Sequence, residues 1–343
     1  MKRMLNTLFV MTQGSYLKKE GEAAVVKVGE VVKLRVPFVS ISSIVCFGDV
    51  MMSPYLMGAC AKAGISICWL SLYGRFLARV EGPVHGNVLL RREQYRVSED
   101  RNKAASIARI MVAAKISNSR AVLLRAMRDH ADKFDTARMD GVSTILKRRV
   151  EDVLGESDLD RIRGYEGDSA KAYFSVFNEL ILVQKADFSF TDRNRRPPRD
   201  RVNALLSFVY TMLYNDLRSM LEVTGLDPAV GFLHRDRPGR MSLALDLMEE
   251  FRPFVADRLV LSLINLKQVA GKAFDISESG TVMMHETARK TVVAAWQTRK
   301  QDALVHPFLE DEMHIGIAMQ SQAMLLARHL RGDIDGYPAF FWK

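Results

Sequence analysis

Glu81-Gly82-Pro83-Val84-His85-Gly86-Asn87 separates two stretches of the chain with different periodicities. Glycine and proline in one short window interrupt helix and strand alike, so 82–87 reads as a linker. Before it, apolar residues gather in short runs at 5–11, 15–19, 23–28, 31–37, 41–47, 65–70 and 75–80. Gly14, Gly21, Gly29 and Gly74 fall between several of these runs, where turns need residues tolerant of positive φ. One helix, about 54–63, is expected to stop at Gly64. Beyond the linker the apolar period becomes 3.6, in segments 88–96, 100–132, 136–151, 158–177, 202–223, 242–268, 284–300 and 317–330. The expected fold class is α+β: a small N-terminal antiparallel β domain over 1–81, then a larger all-helical domain over 88–343.

Composition narrows the function. The 343 residues exceed one typical core, and 49 Lys and Arg against 40 Asp and Glu give a net charge of +9 with a pI near 9.4. That balance favours polyanions. Cys46, Cys60 and Cys68 are an odd number in apolar settings with no zinc-type spacing, which fits a reducing cytosol better than a disulfide framework. Met1-Lys2-Arg3 is basic, but the apolar run after it is broken by Asn6 and Thr7 and lacks a small-residue cleavage site, so it is read as a first strand. No window reaches the roughly 18 uncharged apolar residues of a membrane span. A cytoplasmic protein without membrane association is expected.

Three polar islands in apolar surroundings carry the chemistry: Arg161-Ile162-Arg163-Gly164-Tyr165-Glu166-Gly167-Asp168, Gly231-Phe232-Leu233-His234, and Ser242 to Pro253. In the third, seven of the eleven residues from Met241 to Phe251 are apolar, too many for a surface helix. Ser242, Asp246 and Glu249 recur at i, i+4 and i+7, one polar line along a buried helix. Two buried carboxylates call for a cation. One imidazole with two or three carboxylates is a hard, oxygen-rich set suited to Mg²⁺ or Mn²⁺, with positions left for phosphate oxygens. Each residue taken singly also has a plain reading. Glu166 could be a dipole partner in a helix's first turn, His234 a loop histidine, and Asp246 and Glu249 partners of arginines.

The arginines point to phosphate. Arg193, Arg195, Arg196, Arg199 and Arg201 are five in nine residues without a lysine, held extended by Pro197 and Pro198. Arg235, Arg237 and Arg240 form a second cluster between His234 and the carboxylate helix. Arg193, Arg195, Arg196, Arg199, Arg235, Arg237 and Arg240 are the candidate nucleic-acid contacts.

The order Tyr165-Glu166-Gly167, Asn194-Arg195-Arg196-Pro197-Pro198 with Asn203-Ala204-Leu205-Leu206, Gly231-Phe232-Leu233-His234, then Ser242 to Pro253 resembles the CRISPR-associated endonuclease and integrase of spacer acquisition, the first-numbered Cas protein. The ending Arg328-His329-Leu330-Arg331-Gly332-Asp333 and the Cys- and Met-rich β domain look most like members from type I-C loci. The resemblance implies a β domain followed by a helical catalytic domain. It carries metal ligation onto Glu166, His234 and Glu249, and a second acidic catalytic position onto Asp246. It also implies a homodimer joined to a dimer of the small second-numbered Cas protein, inserting short double-stranded DNA into a CRISPR repeat by attack of 3′-hydroxyls, with intrinsic nuclease activity. The alternatives are a structure-selective metal-dependent nuclease for branched DNA or RNA without a joining role, and a basic architectural DNA-binding protein.

Overall fold

The computed structural model describes residues 7–82, 88–130, 133, 135–194 and 197–342. The chain divides into two compact units, Met1–His85 and Gly86–Lys343. Residues 83–87 of the expected linker lie outside the described residues.

The first unit runs β1 (Thr7–Val10), β2 (Ser15–Glu20), β3 (Ala23–Val28), β4 (Val31–Pro37), β5 (Ser43–Phe47), β6 (Val50–Met52), α1 (Pro54–Lys62), β7 (Ser66–Leu70) and β8 (Phe76–Val80). Its strands form two four-stranded sheets, ordered β1-β5-β7-β8 and β4-β3-β2-β6. The all-antiparallel expectation is corrected here: β5 runs parallel to both β1 and β7, and β2 runs parallel to β6. After β1 the chain leaves to build the β2–β3–β4 meander, whose tight turns sit at Gly21 (φ 57°) and Gly29 (φ 56°), and returns beside β1 in the same direction. Helix α1 then serves as the crossover that parallel pairing requires. Ser53 caps α1 through its side chain, and Gly64 follows it at φ 69°. The core between the sheets and α1 is Leu17, Val26, Ile44, Cys46, Leu56, Cys60 and Ile67, and the three cysteines are free thiols.

The second unit contains α2 (Val88–Glu99), α3 (Arg101–Asp129), α4 (Thr136–Leu154), α5 (Leu159–Ser175), α6 (Arg201–Thr224), α7 (Ser242–Phe251), α8 (Arg258–Asn265), β9 (Phe274–Ile276), β10 (Val282–Met284), α9 (Glu286–Lys300), β11 (Ala303–Val305), β12 (Glu312–His314) and α10 (Ile315–Leu330). It is not all-helical: β9–β10 and β11–β12 are two small antiparallel hairpins, three residues per strand. Asp100, Asp158 and Asp200 cap α3, α5 and α6, each accepting from first-turn backbone N–H groups. Helix α3 is the hub, packing against α4, α5 and α7. The single helix expected over 242–268 is interrupted. Helix α7 ends at Phe251, and Arg252–Asp257 form a π-helical turn before α8. Pro253 explains the break, because it has no N–H to donate and its ring crowds the preceding turn. Among the described residues no helix is long and apolar enough to cross a membrane.

Candidate metal centre

The site begins with a close approach of backbone to helix. Gly231 passes α7 so tightly that a Cβ there would stand 2.6 Å from Asp246 Oδ2 and 2.9 Å from Ser242. Only glycine lets the loop come this near. The next three backbone N–H groups, of Phe232, Leu233 and His234, then donate to the Asp246 carboxylate at 2.6, 2.9 and 2.9 Å. Arg163 of α5 fixes the loop from its other side, donating to the Leu233 carbonyl at 2.6 Å.

Asp246 also receives the imidazole. His234 Nδ1 lies 2.6 Å from Asp246 Oδ1. The carboxylate can only accept, so Nδ1 carries a proton and Nε2 is the ring nitrogen left to face the site. That nitrogen faces Glu249 Oε1 at 4.0 Å. Asp246, completely buried, is thereby filled by four donors and stands behind His234, one turn of α7 from Glu249.

Glu249 is 2% exposed and meets cations. Its Oε1 pairs with Arg252 at 3.0 Å, and its Oε2 lies 2.7 Å from Lys115 Nζ without an aligned hydrogen bond. Lys115 comes from α3, and the same ammonium hydrogen-bonds Glu166 Oε1. Glu166 sits in the middle of α5, not in a first turn, so the dipole-partner reading does not apply. Burial by itself would raise the Glu249 carboxyl, but Arg252, Lys115 and His234 outweigh it and hold it below the usual carboxylate value. Burial would likewise lower the Lys115 ammonium, and Glu249 with Glu166 raises it instead. Both members of the pair are therefore charged.

The structure thus brings Glu166, His234 and Glu249 into one place from α5, a loop and α7. Among the described residues no three His, Cys, Asp or Glu side chains close into a coordination shell, and Lys115 stands between the two glutamates. The residue types nonetheless suit a hard divalent ion: two carboxylates, Glu166 and Glu249, meet at Lys115, and the imidazole of His234 stands 4.0 Å from Glu249.

The arginines divide. Arg195 and Arg196 lie outside the described residues. Arg193 turns inward, donating to Asn203 Oδ1 at 2.6 Å and Ser207 Oγ at 3.1 Å, with its guanidinium over the Tyr210 ring. Arg201 is held by the carbonyls of Gly271 and Asp187. Arg199, Arg235 and Arg237 are exposed and Arg240 is half-buried; Arg235 is anchored to Asp160 at 2.7 Å. Sequence reasoning missed Lys115, Arg252, Tyr210 and Asp257. Lys115 had a signal, a lone cation inside the apolar run Ile110-Met111-Val112-Ala113-Ala114-Lys115-Ile116, which a buried helix tolerates only with a partner.

The family model described as CRISPR associated protein Cas1 matches residues 8–298. A CRISPR-associated endonuclease Cas1 of Chlorobaculum tepidum is 52% identical over 343 residues, covering all of both chains. Another, from Rhodospirillum rubrum, is 52% identical over 347 aligned residues, again covering both completely. Among solved structures, a CAS1 protein from Thermotoga maritima superposes with a TM-score of 0.81 at 22% identity, covering 98% of this chain and 100% of its own. A casposase bound to integration product gives 0.83 at 22% identity, covering 98% and 93%. These two share the fold.

Proposed function

From the premise that the chain belongs to the Cas1 family, we propose that it is a divalent-metal-dependent DNA endonuclease and integrase that inserts short duplexes into a CRISPR repeat array. The endonuclease part follows relatives 52% identical over the full length, which carry that activity in their names. The observation that carries the metal reading is that Glu166 and Glu249 meet at the Lys115 ammonium while His234 Nε2 stands 4.0 Å from Glu249 Oε1. In this reading those three residues hold Mg²⁺ or Mn²⁺.

When bound, the ion supplies Lewis acidity toward a phosphoryl oxygen and offsets charge during in-line displacement. The protein's own part is preorganisation. Asp246 keeps the proton of His234 on Nδ1 and fixes the ring, so Nε2 is presented without a search through rotamers. Arg252 holds Glu249 Oε1 and leaves Oε2 directed at the site. Arg199, Arg235 and Arg237, exposed, with Arg240 beside them and Arg195 and Arg196 of the same basic run, contact phosphates of double-stranded DNA. Arg193 contributes differently, by holding the start of α6. The attacking group is a water or a DNA 3′-hydroxyl, with no covalent protein–DNA intermediate.

The assembly is a homodimer joined to a dimer of Cas2, of a type I-C system, acting in the cytoplasm where its DNA lies. Transfer of a labelled 3′-hydroxyl duplex into a repeat-bearing plasmid, with Cas2 and Mg²⁺ or Mn²⁺, tests the joining role. Metal-dependent cleavage without joined product would leave a nuclease only.

A further inference from the structure

We infer that Lys115 is a movable internal counter-ion. Its ammonium holds Glu166 and Glu249 together when no divalent ion is bound, and it withdraws into an adjoining cavity when one enters. This rests on the metal-site reading above and adds how the protein manages that site's charge.

The ammonium and a divalent ion compete for the same oxygens. Lys115 Nζ contacts Glu166 Oε1 and stands 2.7 Å from Glu249 Oε2. A Mg²⁺ or Mn²⁺ ion ligated by those carboxylates would sit about 2.1 Å from each oxygen. Two cations cannot share that space, so one leaves. Arg252 is not the one to move, because it is held on Glu249 Oε1 at 3.0 Å with its guanidinium over the Tyr210 ring. The lysine head is small and rides on a flexible four-carbon stem.

It also has somewhere to go. A cavity of about 40 Å³ adjoins the site; its lining includes Lys115, Glu166, Ser169 and Asp257 as well as the cations Arg193 and Arg252. One water needs roughly 10–15 Å³ on this scale, so an ammonium head fits. Ser169 Oγ is buried there without a hydrogen-bond partner, an acceptor directed at nothing. Asp257 lines the same cavity; it accepts from Tyr210 OH at 2.6 Å, faces Arg252 and Arg193 as well as Lys115, and burial pushes its carboxyl up to about 7. In the bridging position, meanwhile, the lysine compensates two carboxylates whose repulsion would otherwise strain α3, α5 and α7.

Titration of the full-length chain with MnCl₂, followed by calorimetry and by melting, tests this without an activity readout. Lys115→Met should bind Mn²⁺ about tenfold more tightly than wild type, since site charge tunes divalent affinity. Without Mn²⁺ it should melt lower, and Mn²⁺ should restore it. A lysine that merely held the ligands in place would give the opposite sign on removal, so equal or weaker Mn²⁺ binding by Lys115→Met overturns the inference. Where that variant does not fold without metal, Lys115→Arg decides. It keeps a cation between the carboxylates but is too large and planar for the cavity, so Mn²⁺ affinity should fall about tenfold. Wild-type affinity in Lys115→Arg overturns the inference. Absence of Mn²⁺ binding by wild type itself removes the metal-site reading and this inference with it, whereas wild-type binding with unmoved variants removes only the role of Lys115.

Discussion

Glu249 and Glu250 are neighbours on α7, equally hidden from solvent, and they hold their protons in opposite ways. Glu249 looks toward Lys115, Arg252 and His234, and stays ionised below the ordinary carboxylate range. Glu250 looks the other way, toward the C-terminal tail. It accepts from Tyr337 OH at 2.6 Å, Phe340 N at 2.7 Å and Gln322 Nε2 at 2.8 Å. Among the described residues no cation stands beside it, and burial pushes its carboxyl up to about 7 against those hydrogen bonds. A buried carboxylate is therefore not in itself a sign of metal. What distinguishes Glu249 is the charge and imidazole assembled around it. Glu250 is a fastener: together with Asn118, which binds the carbonyls of Glu250 and Phe340 and the N–H of Trp342, it straps residues 337–342 onto α3 and α7. Phe254 stacks on Phe340 and Trp342 to complete the strap.

The largest expected effect lies on the Glu249 side. Glu166→Ala, His234→Ala and Glu249→Ala should each abolish metal-dependent cleavage and strand transfer while circular dichroism stays that of the folded chain. Near-normal activity in any one of them would take that residue out of the ligand set. Asp246→Asn comes next, with losses of roughly 10- to 100-fold expected for a residue that orients a ligand. Its amide nitrogen cannot accept the donated N–H groups that the carboxylate now takes, so His234 should lose its fixed ring. Loss of Mn²⁺ binding altogether would make Asp246 a ligand instead.

On the Glu250 side the effect is on stability and follows pH. Its folded value, about 7, lies above the ordinary 4.5. The folded protein thus binds the proton more tightly than the unfolded chain, and the stability this contributes is complete below about 4.5 and lost as pH rises through about 7. Glu250→Gln removes that proton. Its unfolding free energy should fall less steeply than wild type between those values, the difference in slope being at most about 1.4 kcal/mol per pH unit. Parallel profiles would show that Glu250 does not titrate in that window. The smallest effect concerns the exposed arginines. Arg199→Ala, Arg235→Ala and Arg237→Ala should each reduce the slope of log affinity against log salt by about 0.9 on duplex DNA, with little change between sequences. Unchanged slopes would move the DNA path elsewhere on the surface.

Local signals were enough wherever one element decides its own conformation. The strands β2 to β4 and their glycine turns, α1 with its stop at Gly64, and the long helices α3 and α6 all follow from periodicity and caps. Signals failed where a distant segment decides. Val50–Met52 is three residues long and is a strand only because β2 lies alongside it. The parallel pairing of β1 with β5 depends on where the chain returns, which alternation of side chains does not encode. The break at Arg252–Asp257 falls at Pro253, inside a stretch whose helical period reads as one helix over 242–268, and its π-helical form belongs to the packing around it.

In the site the division is the same. The sequence by itself determined that α7 is buried and carries its carboxylates on one line, and that a glycine precedes the Phe-Leu-His segment. It also determined which residue types are present for a hard cation, because helical period and burial are local properties of composition. Tertiary structure alone decided the roles. Asp246 and Glu249 are alike as acidic residues on one helical stripe, and only the loop folding back over α7 fills the first with N–H donors and leaves the second to Lys115 and Arg252. Charge–charge and hydrogen-bond energies depend on distance and direction, and these arise only when α3, α5, α7 and the His234 loop have been packed together.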